Sequence, residues 1–166
     1  MHLLDTNILT AFHKGNPKIT AALNVLDEPQ IATTIVNQIE LIQGRTDFLL
    51  KAENGDRLLY AQSLLRETEY LLAEIQIIPF NEAAAAYFDQ LKQQSVLRKS
   101  GRPDLLIASV ALANRATLVT RNLKDFKNVP NLKPAQYSKM SYTVIRSPRI
   151  QGLPLRFPGS IVIKSL

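Results

Sequence analysis

Short, continuous apolar runs set the strongest limit on how this chain can fold. HLL at 2–4, QIAT at 30–33, EIQIIPF at 74–80 and ATLVT at 116–120 are runs of this kind, and longer stretches with helical spacing separate them. A strand with one face in water alternates apolar and polar residues. A run that does not alternate is covered on both faces. Strands of that type, alternating with helices, predict a parallel sheet with helices packed on either side.

The helical stretches have recognisable ends. Residues 6–14 and 17–27 read as two helices broken at Gly15, Asn16 and Pro17. In TTIVNQIELIQGR, Val36, Ile39, Leu41 and Ile42 keep helical spacing, Thr33 or Thr34 caps the start, and Gly44 is the expected stop. Residues 56–74 form a long helix whose apolar side is Leu58, Leu59, Ala61, Leu64, Leu65, Tyr70, Leu71 and Leu72, most of it assigned to the core. An alanine-rich helix spans 81–97, and RKSGRP at 98–103 is a basic loop. DLLIASVALANRA is apolar on most sides and reads as a buried helix. RNLKDF is a loop or short helix, and VPNLKPAQY holds a last strand.

Composition removes many kinds of chemistry. With no cysteine in 166 residues, disulfides, thiolate zinc sites and cysteine nucleophiles are excluded. Two histidines, His2 and His13, argue against a histidine-rich metal site or a serine–histidine triad. No apolar run reaches the ~18 residues of a membrane span, and the N-terminus lacks the pattern of a signal peptide. The expectation is a cytoplasmic protein with no membrane partner. The net charge is +6 and unevenly placed. Lys139, Arg146, Arg149, Arg156 and Lys164 fall in 138–166, which holds no Asp or Glu, so the rest of the chain is nearly neutral. The chain therefore divides into a domain at 1–137 and a basic extension at 138–166, expected to be poorly ordered or a small hairpin.

In parallel sheets, sites form at the C-terminal ends of strands. Asp5 follows the first strand, and Asn122 and Asp125 follow ATLVT. Glu40 interrupts an apolar helical stretch, and Asp104 opens the buried helix. Each has a structural reading. Asp5 and Asp104 suit helix caps or a helix dipole, Glu40 a solvent face, and Asp125 a plain surface position. Together they suggest another. Clustered carboxylates repel one another unless a cation neutralises them. A hard divalent ion takes oxygen ligands, acidifies bound water and stabilises charge on a phosphodiester in flight.

LLDTNI, IELIQG, DLLIASVALANRATLVTRNLKDF and VPNL, in that order, resemble the PIN-domain ribonucleases, most of all VapC-type toxins of bacterial toxin–antitoxin pairs. The resemblance covers about residues 1–137. It implies a three-layer α/β/α sandwich around a parallel sheet and endoribonuclease activity with Mg²⁺ or Mn²⁺. The family's acids map onto Asp5, Glu40 and Asp104, assigned as catalytic residues and primary metal ligands. Its fourth acid position falls on Asn122, with Asp125 three residues on, and these two are the secondary ligands. Thr6 and Thr120 match the small hydroxyl positions beside the metal. An RNA substrate, a cognate antitoxin and a homodimer are the implied partners.

Arg98, Lys99, Arg102 and Arg121 are candidates for RNA phosphate contacts, and a solvated loop explains the first three equally well. Asn122 brings no charge and favours a second reading, a catalytically inactive module that binds RNA or a partner. A phosphoacceptor domain also carries Asp at strand ends, but Asp-Thr-Asn after the first strand does not match its paired acids.

Overall fold

A computed structural model of the chain describes residues 1–23, 31–98 and 100–135. Lys99 and the extension at 138–166 lie outside the described residues, as do the later part of the helix expected over 17–27 and the residue expected to open the second strand, Gln30. Five strands form one sheet in the order β3-β2-β1-β4-β5, and every pairing is parallel. They are β1 (His2–Leu4), β2 (Ile31–Thr34), β3 (Gln76–Ile78), β4 (Thr117–Val119) and β5 (Lys133–Ala135). Seven helices connect them among the described residues: α1 (Thr6–His13), α2 (Pro17–Leu23), α3 (Ile35–Leu50), α4 (Gly55–Glu74), α5 (Glu82–Lys92), α6 (Arg102–Ala113) and α7 (Leu123–Phe126).

The apolar runs of the central strands β1 and β4 are buried on both faces, as their composition predicts, while the edge strand β3 leaves Gln76 exposed. Leu3 and Leu118 pack into a core with residues of α5, α6 and α7. Their neighbours Leu4 and Val119 turn the other way, into a core with residues of α1, α2, α3 and α4. Each of these four side chains is at most 1% exposed, and full burial of such a group contributes about 1.5–3 kcal/mol. The result is the three-layer α/β/α sandwich.

Strand order places the site. From β1 the chain adds β2 and β3 on one side, then crosses to add β4 and β5 on the other. The crevice where connections diverge therefore lies between β1 and β4, at their C-terminal ends. Asp5 and Thr120 are the next residues along those two strands, and the Asp5 N–H donates to the Val119 carbonyl at 3.0 Å.

Three expectations need correction. The helix entered from Thr34 does not stop at Gly44 but runs to Leu50. Gly44 does not take the left-handed conformation that would end it, and α3 continues along α4, where Arg45 Nε donates to Thr68 Oγ1 at 2.9 Å. The helix after β3 ends at Lys92, and a separate 3-10 turn follows at Ser95–Leu97. Finally, α4 buries little of its apolar side. Ala61, Thr68 and Leu72 are buried, while Leu58, Leu59, Tyr60 and Tyr70 are exposed. One stripe of α4 packs on the domain, so those apolar residues are largely not core.

Candidate active site

Asp5 ends β1 and caps α1. Its Oδ1 accepts from the Thr6 N–H at 2.8 Å and from Asn37 Nδ2 at 3.1 Å. Its Oδ2 accepts from Asn7 Nδ2 at 2.5 Å and from the Thr120 hydroxyl at 2.6 Å. The cap reading is thus correct but incomplete. A cap needs one such bond, and this buried carboxylate takes four, from three separate stretches of chain.

These bonds extend outward. The Thr6 hydroxyl donates to Glu40 Oε2 at 2.5 Å, which ties α1 to α3. Glu40 is half-buried on this side of α3, while its neighbour Ile39 faces solvent. Thr120 Oγ1 accepts from the Asn122 N–H at 2.9 Å and from Asn7 Nδ2 at 3.2 Å. Asn7 Oδ1 accepts the Arg121 N–H at 3.0 Å. The Asn122 amide donates to Asp125 Oδ2. Asn122 therefore orients the acid that follows it.

Asp104 comes from the opposite helical layer. Gly101, not Asp104, is the N-cap of α6, and Asp104 lies in the first turn. Burial, then the charges of Asp125, Asp5 and Glu40, push its carboxyl up from 3.8 to about 6, while a hydrogen bond from the Gly101 backbone pulls it down. A Cβ on Gly101 would stand 2.9 Å from Asp104 Oδ2, so the absence of a side chain there leaves this carboxylate its place.

The acids expected from the sequence are therefore brought within electrostatic reach of one another. Among the described residues, none of Asp5, Glu40, Asp104 and Asp125 has a cationic side chain within 4.0 Å. Nor do three Asp, Glu or His side chains there form a preassembled metal chelate. The two facts are compatible, because charges act over longer distances than ligand bonds. Asp5, Glu40 and Asp125 instead hold their oxygens against neutral donors. An all-oxygen set with uncompensated repulsion suits a hard divalent cation.

Arg98, Arg102 and Arg121 are exposed. The Arg102 guanidinium lies 5.6 Å from the Phe88 ring centroid, so it packs on an aromatic face of α5. The sequence reading missed Asn37 and Gly101 altogether. A polar amide one turn before Glu40 on the same helix was the available signal for Asn37.

A parallel sheet with acids at its switch point is the arrangement of a PIN domain. The PIN-domain family model matches residues 2–132, and the chain belongs to that family. Its relatives include Ribonuclease VapC1 of Haemophilus influenzae, 30% identical over 145 residues that cover 84% of this chain and 99% of that protein. In the crystal structure of VapBC2 from Rickettsia felis bound to a promoter DNA fragment, a chain 30% identical superposes with a TM-score of 0.67, covering 81% of this chain and 97% of that one. A chain of a toxin–antitoxin complex from Klebsiella pneumoniae, 26% identical, has a TM-score of 0.60 over 80% of this chain and 95% of its own.

Proposed function

We propose that the chain is a divalent-metal-dependent endoribonuclease and the toxin of a toxin–antitoxin pair. The observation that carries this reading is the gathering of Asp5, Glu40, Asp104 and Asp125 at the C-terminal ends of β1 and β4, where each raises or shares the charge around Asp104 and, among the described residues, no Lys or Arg lies within 4.0 Å of any of them. Asp5, Asp104 and Glu40 would hold Mg²⁺ or Mn²⁺, supported by Asn122 and Asp125. The ion would supply an acidified water and charge stabilisation for an in-line displacement at phosphorus.

The protein's own groups have distinct tasks. Asp5 is fixed by four donors and cannot drift. Glu40, held by Thr6, is placed to accept a proton at its free oxygen. Asp104, with its carboxyl near 6, is ionised at neutral pH and would be drawn fully to the charged form by a cation. Exposed Arg98 and Arg121 are suited to backbone phosphates, which position a strand without reading its sequence. RNA as substrate follows from the ribonuclease relative, and an antitoxin from the toxin–antitoxin complex. An inactive binding module has less support, because the relatives that match most of this chain are named ribonucleases. A homodimer and a cytoplasmic location complete the proposal. No helix among the described residues is long and apolar enough to cross a membrane.

The test is cleavage of mixed cellular RNA by protein freed of any partner. Activity should vanish on chelation, return with Mg²⁺ or Mn²⁺, and be absent from folded Asp5→Asn protein. Cutting that survives chelation, or no cutting by the folded parent with either metal, would overturn the proposal.

A further inference from the structure

Asn37 is fully buried, yet none of the chemistry above gives it a task. It sits on α3 one turn before Glu40. Its amide is divided between two jobs. On one side, Oδ1 accepts from the Thr34 hydroxyl at 2.6 Å and from the Thr34 N–H at 3.4 Å, while the Asn37 N–H donates back to Thr34 Oγ1 at 3.2 Å. That is a capping box, and it starts α3. On the other side, Nδ2 donates to Asp5 Oδ1 at 3.1 Å and to Thr6 Oγ1 at 3.0 Å.

The second side has a directional consequence. A threonine hydroxyl has one proton to give. Because Asn37 donates to Thr6 Oγ1, that oxygen acts as an acceptor there and its own proton is free for Glu40 Oε2. Thr34 supplies the reason the amide cannot turn over. With Oδ1 committed to the Thr34 hydroxyl, only the NH₂ group can face Asp5 and Thr6. The cap of α3 thus fixes the orientation of one acid directly and of another through a hydroxyl.

We infer that Asn37 is a positioning residue for the metal site: a neutral clamp that holds Asp5 and, through Thr6, Glu40 in the geometry an ion requires. Only a side chain with one acceptor and two donors serves both sides. Aspartate keeps the acceptor for Thr34 but loses both donors and sets a third carboxylate against Asp5 and Glu40. Threonine keeps a single donor. This inference rests on the metal-dependent nuclease reading.

The experiment compares the parent, Asn37→Asp, Asn37→Thr and a remote cap variant, Asn81→Ala. Asn81 Oδ1 caps α5 by accepting the Ala84 N–H at 2.9 Å, a bond that involves none of the acids. Four quantities are read: melting temperature, Mn²⁺ binding by calorimetry without RNA, and kcat and KM for RNA cleavage at saturating Mn²⁺. Removing such a cap lowers the melting temperature by a few degrees, about 4 °C. Asn37→Thr should weaken Mn²⁺ binding or kcat by about 10–100-fold and leave KM for RNA unchanged, because Asn37 touches no substrate. Asn81→Ala should lose melting temperature alone. Adding Thr6→Val to Asn37→Thr should cost less than the two single losses combined, since both break one relay. If Asn37→Asp fails to fold, Asn37→Thr carries the comparison. Asn37 variants that lose melting temperature like Asn81→Ala but keep Mn²⁺ affinity and kcat would overturn the clamp and leave the nuclease reading intact. A parent that neither binds Mn²⁺ nor cuts RNA would overturn both.

Discussion

The two ends of α1 meet α3 and its neighbours through opposite chemistry. At the C-terminal end, His13 Nε2 lies 2.9 Å from Glu67 Oε2, and Arg45 approaches His13 Nδ1 at 3.4 Å while donating to Thr68 at 2.9 Å. Basic and acidic groups are mixed there and answer one another. At the N-terminal end, Asp5 and Glu40 meet only neutral donors among the described residues, and the charges of Asp125, Asp5 and Glu40 add to burial in raising the Asp104 carboxyl. Helix polarity suits both ends, since the N-terminus favours anions and the C-terminus favours cations. What differs is closure. The first network matches acid with base, whereas the second gathers acids with no cationic side chain within 4.0 Å among the described residues. The first holds helices together. The second is where the proposed metal chemistry would take place.

The contrast is broken most sharply by one substitution at each end. Asp104→Asn should lower RNA cleavage by about three orders of magnitude, the weight of several kcal/mol of charge stabilisation. Arg45→Met should leave the rate near that of the parent but cost about 1–3 kcal/mol in denaturant unfolding, through its lost bonds. Equal losses of activity from the two would erase the distinction between the ends.

A pH series separates them further. The folded-state carboxyl of Asp104 lies near 6, above the ordinary 3.8. Folding therefore favours its protonated form. The stability it contributes is complete below pH ~4 and is lost as pH rises through about 6. Metal-free protein should lose melting temperature across that window, and Asp104→Asn should flatten that part of the curve. At pH 7.5 without metal, the inactive variant should melt above the parent, and Mg²⁺ should raise the parent selectively. A parent curve that rises from pH 4 to 6 in parallel with the variant would mean that Asp104 is not under the repulsion described.

The smallest effect belongs to Gly101→Ala. The new methyl would crowd Asp104 Oδ2 and move it by a few tenths of an ångström. Cleavage should fall several-fold, by about 1 kcal/mol of misplacement, with little change in melting temperature. An unchanged rate would show that the Asp104 side chain can step aside without consequence.

Much of this molecule follows from local sequence. Each continuous apolar run became a parallel strand, because an unbroken run has no face to show to water. Asp5, Thr120, Asn122 and Asp125 could be placed because residues just past such strands fall at one edge of the sheet. Asp104 could be placed because it opens an apolar helix. Other features were decided only by the tertiary fold. A helical pattern says which residues share a face but not what covers that face, so Leu58, Leu59 and Tyr70 of α4 read as core and are exposed. Gly44 reads as a stop, yet the packing of α3 along α4 carries the helix past it. Asn37 reads as an ordinary polar position until α1 closes over α3 and buries it against Asp5 and Thr6. The sequence by itself determined which residues carry charge and where strands end. Only the strand order β3-β2-β1-β4-β5 set Thr120 against Asp5, 115 positions away, and brought the repulsion of distant acids to bear on Asp104. The physical reason is range: strand and helix patterns depend on neighbours a few residues apart, while repulsion and buried hydrogen bonds depend on distance in space.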